Sequence, residues 1–502
     1  MNSGSRVTIV VHPSKITAIR ITEITKYFFT LFPDELFIDP GIYFPDNKIY
    51  FLGIKFFCLF CAKHFRRMII QNKKIFYSFC ALLLGSIMLI HIVELTPVVS
   101  YAGVFIFSSL IFLFVSVQIF KIEFHIKHVY SLIFLAFLLR LSFVSSPVIG
   151  SDDIYRYMWD GKIQTNGINP YLYSPDDEHL NAYHSELLPK AVNFKEMKSI
   201  YFPLSQWIFY TGYQLSGESV WGYKFLLFLF ELMTLGALIL LTKKLNIEPK
   251  YLLLYALAPL SIFQFAIDAH LDGFGLPLIL FSIYFFLDEK KVLSALLLGL
   301  SLAIKPVGLL LIPIFFLHEK GWSGKLKIVL IPLITFFSQF VFYIASTNPF
   351  EAFLIFTKNW YFNGFIFNLF NSVISNNQIS RIFCALILII TLIPLYFSKQ
   401  ELLNKIYYAV LLLMIFSPVV HPWYIAWILI LIPIVRKQSG IYFTAAGSLT
   451  AITIMNYQLY GIWKDYWFVL AIEYLPVLVL FYFELKGINI FGYFRQIKKE
   501  RI

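Results

Sequence analysis

Charge is what this sequence has least of. Only 14% of its 502 residues are Asp, Glu, Lys or Arg, whereas a soluble globular domain carries about 25%. A chain so poor in charge and 59% hydrophobic is not built to be surrounded by water. Cysteine is also scarce. The four present, Cys58, Cys61, Cys80 and Cys384, make no disulfide framework. Cys58 and Cys61 form a CxxC, but it has no second pair and lies in an apolar stretch. No Gly-rich phosphate loop follows a strand pattern, so a soluble nucleotide-sugar donor is not expected. Met1 opens no signal-peptide pattern.

What is present is apolar runs approaching the roughly 20 residues that cross a bilayer. They fall near 75–95, 98–120, 129–147, 221–242, 250–267, 274–287, 292–304, 306–317, 326–346, 381–398, 405–418, 422–435, 441–459 and 466–485. The fold class is therefore an all-α polytopic membrane protein. Several runs are short, so some pairs are expected to be re-entrant. The formal net charge of +12 does not signal nucleic acid here. The basic residues cluster in short loops at 121–127, 243–250, 288–291, 318–327, 399–405 and 436–437 and in the tail 486–501, the pattern of cytoplasmic loops. The opposite face then receives 148–220, 266–273, 346–380 and 419–423, which hold most of the unusual polar residues. Residues 1–70 differ in composition and read as an extension with no spanning segment. Met68, beside a basic cluster, reads as a natural start for the membrane domain 71–502.

The richest outer segment begins Ser151-Asp152-Asp153-Ile154-Tyr155-Arg156-Tyr157-Met158-Trp159-Asp160-Gly161. Ser151 is a good N-cap and Asn166-Gly167 a good C-cap, so 152–165 is expected as a short helix. Asp153, Arg156, Asp160 and Gln164 share one face. Tyr155, Met158, Trp159 and Ile163 share another, expected at headgroup level. Capping accounts for one carboxylate of the Asp152–Asp153 pair. Two so close resist double ionisation and split in pKa, as a base and its orienting partner require. The shared face favours Asp153 slightly as the base, with Asp152 almost equal.

Further candidates follow along the chain. Asp268-Ala269-His270-Leu271-Asp272-Gly273 would converge two carboxylates and an imidazole on one spot if extended, orienting sugar hydroxyls or holding a hard divalent cation; the plainer alternative is a solvated loop. Lys305-Pro306 interrupts an apolar stretch and suggests a phosphate site at a helix break; snorkelling is the alternative. Arg140, inside a span, either joins that site or pairs with an acid. His421-Pro422-Trp423 is a tight aromatic turn whose imidazole suits a phosphate. The loop 359–368 sets amides among aromatics, as carbohydrate or headgroup surfaces do. Glu231 lies in a span and demands a partner.

An acid pair in the first long outer loop, followed by many spans, resembles the GT-C class of integral-membrane glycosyltransferases. More narrowly, the segments 151–161, 167–171, 268–273, 303–306 and 421–423 resemble bacterial polyprenol-phosphate-mannose-dependent mannosyltransferases. The resemblance implies a GT-C-like bundle of about 11–14 transmembrane helices in the cytoplasmic membrane, with 148–220 as its periplasmic catalytic loop. It also implies a polyprenyl-phosphate sugar donor, a glycan or glycolipid acceptor, and inversion at the anomeric carbon. Asp152 or Asp153 would be the base; Arg156, Asp160, Asp268, His270, Asp272, Lys305, His421, Trp423 and Arg140 would bind substrate. A transporter or flippase of a lipid-linked glycan is the rival; it predicts interrupted helices in matching positions of two halves. One clear interruption, at Lys305-Pro306, is visible.

Overall fold

The computed structural model describes residues 73–91, 97–344 and 347–487. The extension 1–70 and its CxxC lie outside the described residues. Among the described residues the regular structure is all helical, apart from two isolated bridges that join Phe362 and Asn363 to Val419. Six helices are long and apolar enough to cross a membrane, up to seven if the bent pair Pro249–Ala256 and Pro259–Ile267 is one span. The other apolar segments are shorter helices such as Asp272–Leu287, Leu402–Phe416 and Pro422–Val435. The protein is thus a multi-pass membrane protein with many of its helices short or broken.

The breaks have local causes. Pro259 and Pro306 each open a new helical piece, because proline accepts the first turn but cannot continue a ladder. The bend at 256–259 is 48°, a second interruption that hydropathy alone conceals. Inside the bundle, Arg140 and Glu231 answer one another. Nε of Arg140 lies 2.9 Å from Glu231, and its remaining donors reach the Ala136 and Ala256 carbonyls and Ser261. Both side chains are buried, so this pair removes the cost of two lone charges in an apolar interior. Arg140 is therefore occupied within the bundle, and none of these partners belongs to the acid-pair cluster described below.

Polar loops segregate to two ends. At one end Lys244 and Lys290 pair with Asp288, Lys291 pairs with Glu319, and Lys250 reaches the Ile122 carbonyl. These are the basic loops. At the other end 148–220 meets the remaining polar segments: Asp268 bonds Gly150, Asn169 bonds the Tyr343 carbonyl, and Gln458 bonds the Ile149 carbonyl. The loop 461–466 also belongs to this end, since Asp465 accepts the Asn363 N–H.

The short helix forms as Asp153–Thr165 and ends at Asn166, with Gly167 at φ 74°. Most of its aromatic face is packed against the protein rather than exposed at a surface. Trp159 and Met158 are fully enclosed and Ile163 nearly so, because the loop 166–202 wraps over them, with Leu180 and Leu188 buried and His184 edge-on to Trp159. Tyr157 stacks on Phe209 of the helix Pro203–Ser216 at 4.4 Å. The segment is a packed floor.

Candidate active site

The acid pair is held in place from both sides. Upstream, the Lys224 ammonium donates to the Ser146 and Phe143 carbonyls at 2.8 and 3.3 Å. Asp268 Oδ1 accepts the N–H groups of Ile149 and Gly150 at 3.1 and 2.8 Å, while Oδ2 accepts the Tyr101 hydroxyl at 2.5 Å. Gly150 leaves no room for a side chain, since a Cβ there would meet Asp268 and Tyr101 at 2.5 Å. Downstream, Arg156 and Asp160 form a buried i,i+4 pair at 2.9 Å. Arg156 also donates to the Met197 carbonyl, and Asp160 accepts from Ser199 and Gln206. These contacts make Asp268, Arg156 and Asp160 the staples of the loop. The face that Asp153 shares with Arg156 and Asp160 is thus no reason to prefer it as the base.

Asp152 stands at the N-cap position but makes no side-chain capping bond, so capping does not account for it. It is exposed, whereas Asp153 is half-buried. The amide of Asn193 spans the pair, donating to each carboxylate at 2.9 Å. The two acids differ as two coupled carboxylates should. Partial loss of hydration among the surrounding loops and the charge of Asp153 push Asp152 above the usual carboxylate range. Burial alone would raise Asp153 as well, but His270, Asn193 and His421 outweigh it and hold that carboxyl below its usual range.

The segment 268–272 is not extended, and its three polar side chains do not converge on one spot. Ala269 sits at φ 59° between a π-helical turn and the helix Asp272–Leu287, which breaks the alternation. Asp268 turns to Tyr101 and Gly150. His270 turns to Asp153, with Nδ1 3.4 Å from Oδ2, and stacks on Trp423 at 3.5 Å. Asp272 Oδ1 accepts the Trp427 indole N–H at 2.7 Å, while its Oδ2 lies 3.6 Å from the Lys305 ammonium. His270 is buried, and neither ring nitrogen completes a hydrogen bond within the described protein, although Nδ1 faces the Asp153 carboxylate. Among the described residues no group of three or more His, Cys, Asp or Glu is arranged to hold a metal ion.

Lys305 does not snorkel. Its ammonium lies 3.8 Å above the Tyr424 ring and beside Asp272. His421 joins through Trp423, on which it stacks at 4.2 Å. Trp360 Nε1 donates to His421 Nε2 at 3.4 Å, which leaves the proton of a neutral ring on Nδ1. Burial pushes His421 down to about 3, although Asp153 pulls the other way. The ring is therefore neutral at ordinary pH.

The turn carrying Trp360 is fixed by Asn363, a non-glycine residue at φ 55°. Its N–H donates to Asp465, its amide to Glu473 at 2.7 Å, and its carbonyl accepts the Tyr474 hydroxyl at 2.8 Å. Phe362 exchanges backbone bonds with Pro418 and Val420, just before His421. Sequence reading singled out the 359–368 loop that holds Asn363 but missed Asn193, Asp465 and Glu473. Glu473 carried a signal, an acid within an apolar run; Asn193 carried none.

The site thus combines a split acid pair, a buried imidazole beside it, a cation and a neutral imidazole on one cluster of loops. Two family models match the chain: the N-terminal domain of alpha-(1->6)-mannopyranosyltransferase over residues 79–319, and the MptB C-terminal domain over residues 368–485. The chain belongs to this family of membrane glycosyltransferases. The acid pair, His270 and Lys305 fall within the first match, and His421, Asp465 and Glu473 within the second. Mannose transfer to a glycan is thereby its activity class. No curated protein and no solved structure matches the chain.

Proposed function

We propose that this mannosyltransferase takes mannose from a polyprenyl-phosphate donor and transfers it to a glycan hydroxyl on the periplasmic face of the cytoplasmic membrane, with inversion. The observation that carries the reading is the pairing of exposed Asp152 with half-buried Asp153 beside buried His270, close to the Lys305 cation. Asp152 accepts the proton of the acceptor hydroxyl as its oxygen attacks the anomeric carbon. The bond from that carbon to the phosphate oxygen breaks, and its electron pair leaves with the phosphate. Lys305 and the Nδ1–H of His421 stabilise the departing charge. Asp153 holds His270, whose free nitrogen orients a sugar hydroxyl. An inverting reaction that makes an alpha bond starts from a beta-linked donor.

The absence of a nucleotide fingerprint favours a lipid phosphate over a nucleotide sugar. The segregation of basic loops to one end supports the opposite, acid-bearing end as periplasmic. Two measurements test the reading. Purified protein in lipid nanodiscs is offered a panel of polyprenyl-phosphate sugars and nucleotide sugars, and the product linkage is read by NMR. Transfer from a nucleotide sugar alone would sink the donor assignment. A cysteine placed at Ser174 should react with an impermeant reagent on intact spheroplasts; labelling only after lysis would overturn the orientation.

A further inference from the structure

One side chain touches both carboxylates of the acid pair. Nδ2 of Asn193 donates to Oδ1 of Asp152 and to Oδ1 of Asp153, each at 2.9 Å. A primary amide carries two hydrogens on its nitrogen, and here each goes to a different acid. Turned over, the amide would set its own oxygen against two carboxylates, which is repulsive. The donating orientation is therefore the one that ionised acids select.

Asn193 does not owe its place to those two bonds. Val192 is buried, and its N–H donates to the Pro189 carbonyl at 3.0 Å. The next residue, Phe194, adopts φ 45°, a backbone that a bulky aromatic holds only where its surroundings impose it. Its carbonyl accepts the Met197 N–H at 2.9 Å, and its ring packs edge-on to Trp360 at 5.2 Å. Beyond it, the Met197 carbonyl accepts from Arg156, and Ser199 donates to Asp160. The loop is thus held at several points on either side of residue 193, and the amide is surplus to its closure.

Electrostatics gives the amide a task. Adjacent carboxylates each disfavour ionisation of the other. The titratable groups that face the pair are His270 from the segment 268–272, His421 and Tyr424 from the aromatic turn, Lys305 from the helix break, and Tyr157 and Tyr201 from the packed floor. Burial keeps the Tyr157 and Tyr201 phenols neutral. His270 lies against Asp153, so Asp153 is the better compensated of the two acids. At Asp152 the stabilising side chain is chiefly Asn193, with His270 a weaker contributor. A hydrogen bond donated to a carboxylate favours its charged form.

We infer that Asn193 is a positioning residue that clamps Asp152 to Asp153 and keeps both carboxylates ionised at once. Its consequence for transfer rests on Asp152 as the proposed base: a protonated Asp152 cannot take the acceptor's proton. Asn193 acts through Asp152 and takes no part in bond making.

Two variants close to asparagine in size separate this role from packing. Asn193→Leu removes both donors, and Asn193→Asp replaces them with a third carboxylate. The full chain in nanodiscs is assayed for kcat/KM across pH. The acid limb should move up by about one pH unit in Asn193→Leu and further in Asn193→Asp, with the rate recovering at high pH in both. Either variant suffices if the other fails to fold. Infrared titration of the carboxyl carbonyl band reads the clamp without any substrate, with Asp152→Asn in each background identifying the band. The Asp152 band should move upward with the limb. A band that protonates at the same pH in the variants and the unaltered protein overturns the clamp, whatever the rates. A band that moves while the kcat/KM limb stays still supports the clamp and removes Asp152 as the base, so the two readings fail separately.

Discussion

Nδ1 of His270 lies 3.4 Å from Oδ2 of Asp153, close enough to pair but without completing a hydrogen bond. Each buried polar group left open costs roughly 1–3 kcal/mol, a cost that an incoming hydroxyl removes. His270→Phe keeps the stacking on Trp423 and deletes both nitrogens. Transfer should fall about 10²-fold, while the unfolding temperature holds or rises. Unchanged transfer would show that the ring is only packing.

As the proposed base, Asp152 should set the acid limb of the pH profile. The base must be unprotonated, and its raised pKa means that protonation on acidification begins above the ordinary aspartate value of about 3.9. Activity is therefore full at high pH and lost as pH falls through that raised value. His421, held at about 3, stays neutral across this range and does not contribute. The kcat/KM profile of His421→Gln should keep the same acid limb as the unaltered protein. Asp152→Asn should reduce transfer about 10²–10⁴-fold. Near-normal transfer by that variant would remove Asp152 from the chemistry.

Lys305 should act on the leaving phosphate rather than on acceptor binding. Lys305→Met is expected to lower kcat about 10²–10³-fold with little change in acceptor KM. Lys305→Arg keeps the charge and should restore part of the rate. A Lys305→Met enzyme with normal kcat but a raised acceptor KM would instead place the ammonium on the acceptor side.

Arg140 and Glu231 predict a stability effect. Arg140→Met leaves a buried carboxylate unpaired and should destabilise by about 3–5 kcal/mol, read as a loss of thermal stability in detergent. Adding Glu231→Met should recover most of that loss. Specific activity per folded molecule should stay near normal in the double variant. A persistent defect there would tie the pair to catalysis.

Much of this was legible in the sequence because a bilayer imposes simple rules. Apolar run length gave the helices, and loop charge sorted the ends, since both follow from the cost of burying polar groups in lipid. The acid pair stood out for the same reason. Three features were not legible. The divergence of Asp268, His270 and Asp272 depends on the positive φ of Ala269, which no local signal announces at alanine. The inward turn of Trp159 depends on a loop that closes over it from 166–202. The link from Asn363 to Glu473 joins residues 110 positions apart, beyond the reach of any periodicity. Glu231 demanded a partner, and tertiary packing rather than spacing supplied Arg140.

The bond from Gln458 to the Ile149 carbonyl spans 309 positions, and this has a consequence for biogenesis. Synthesis runs at about 5–20 residues per second, so the carboxylates emerge about 15–60 seconds before their last support exists. A nascent chain carries its acid pair with neither His421 nor Gln458 yet made. The cluster of loops around the acid pair is therefore complete only when the final helices close against the first.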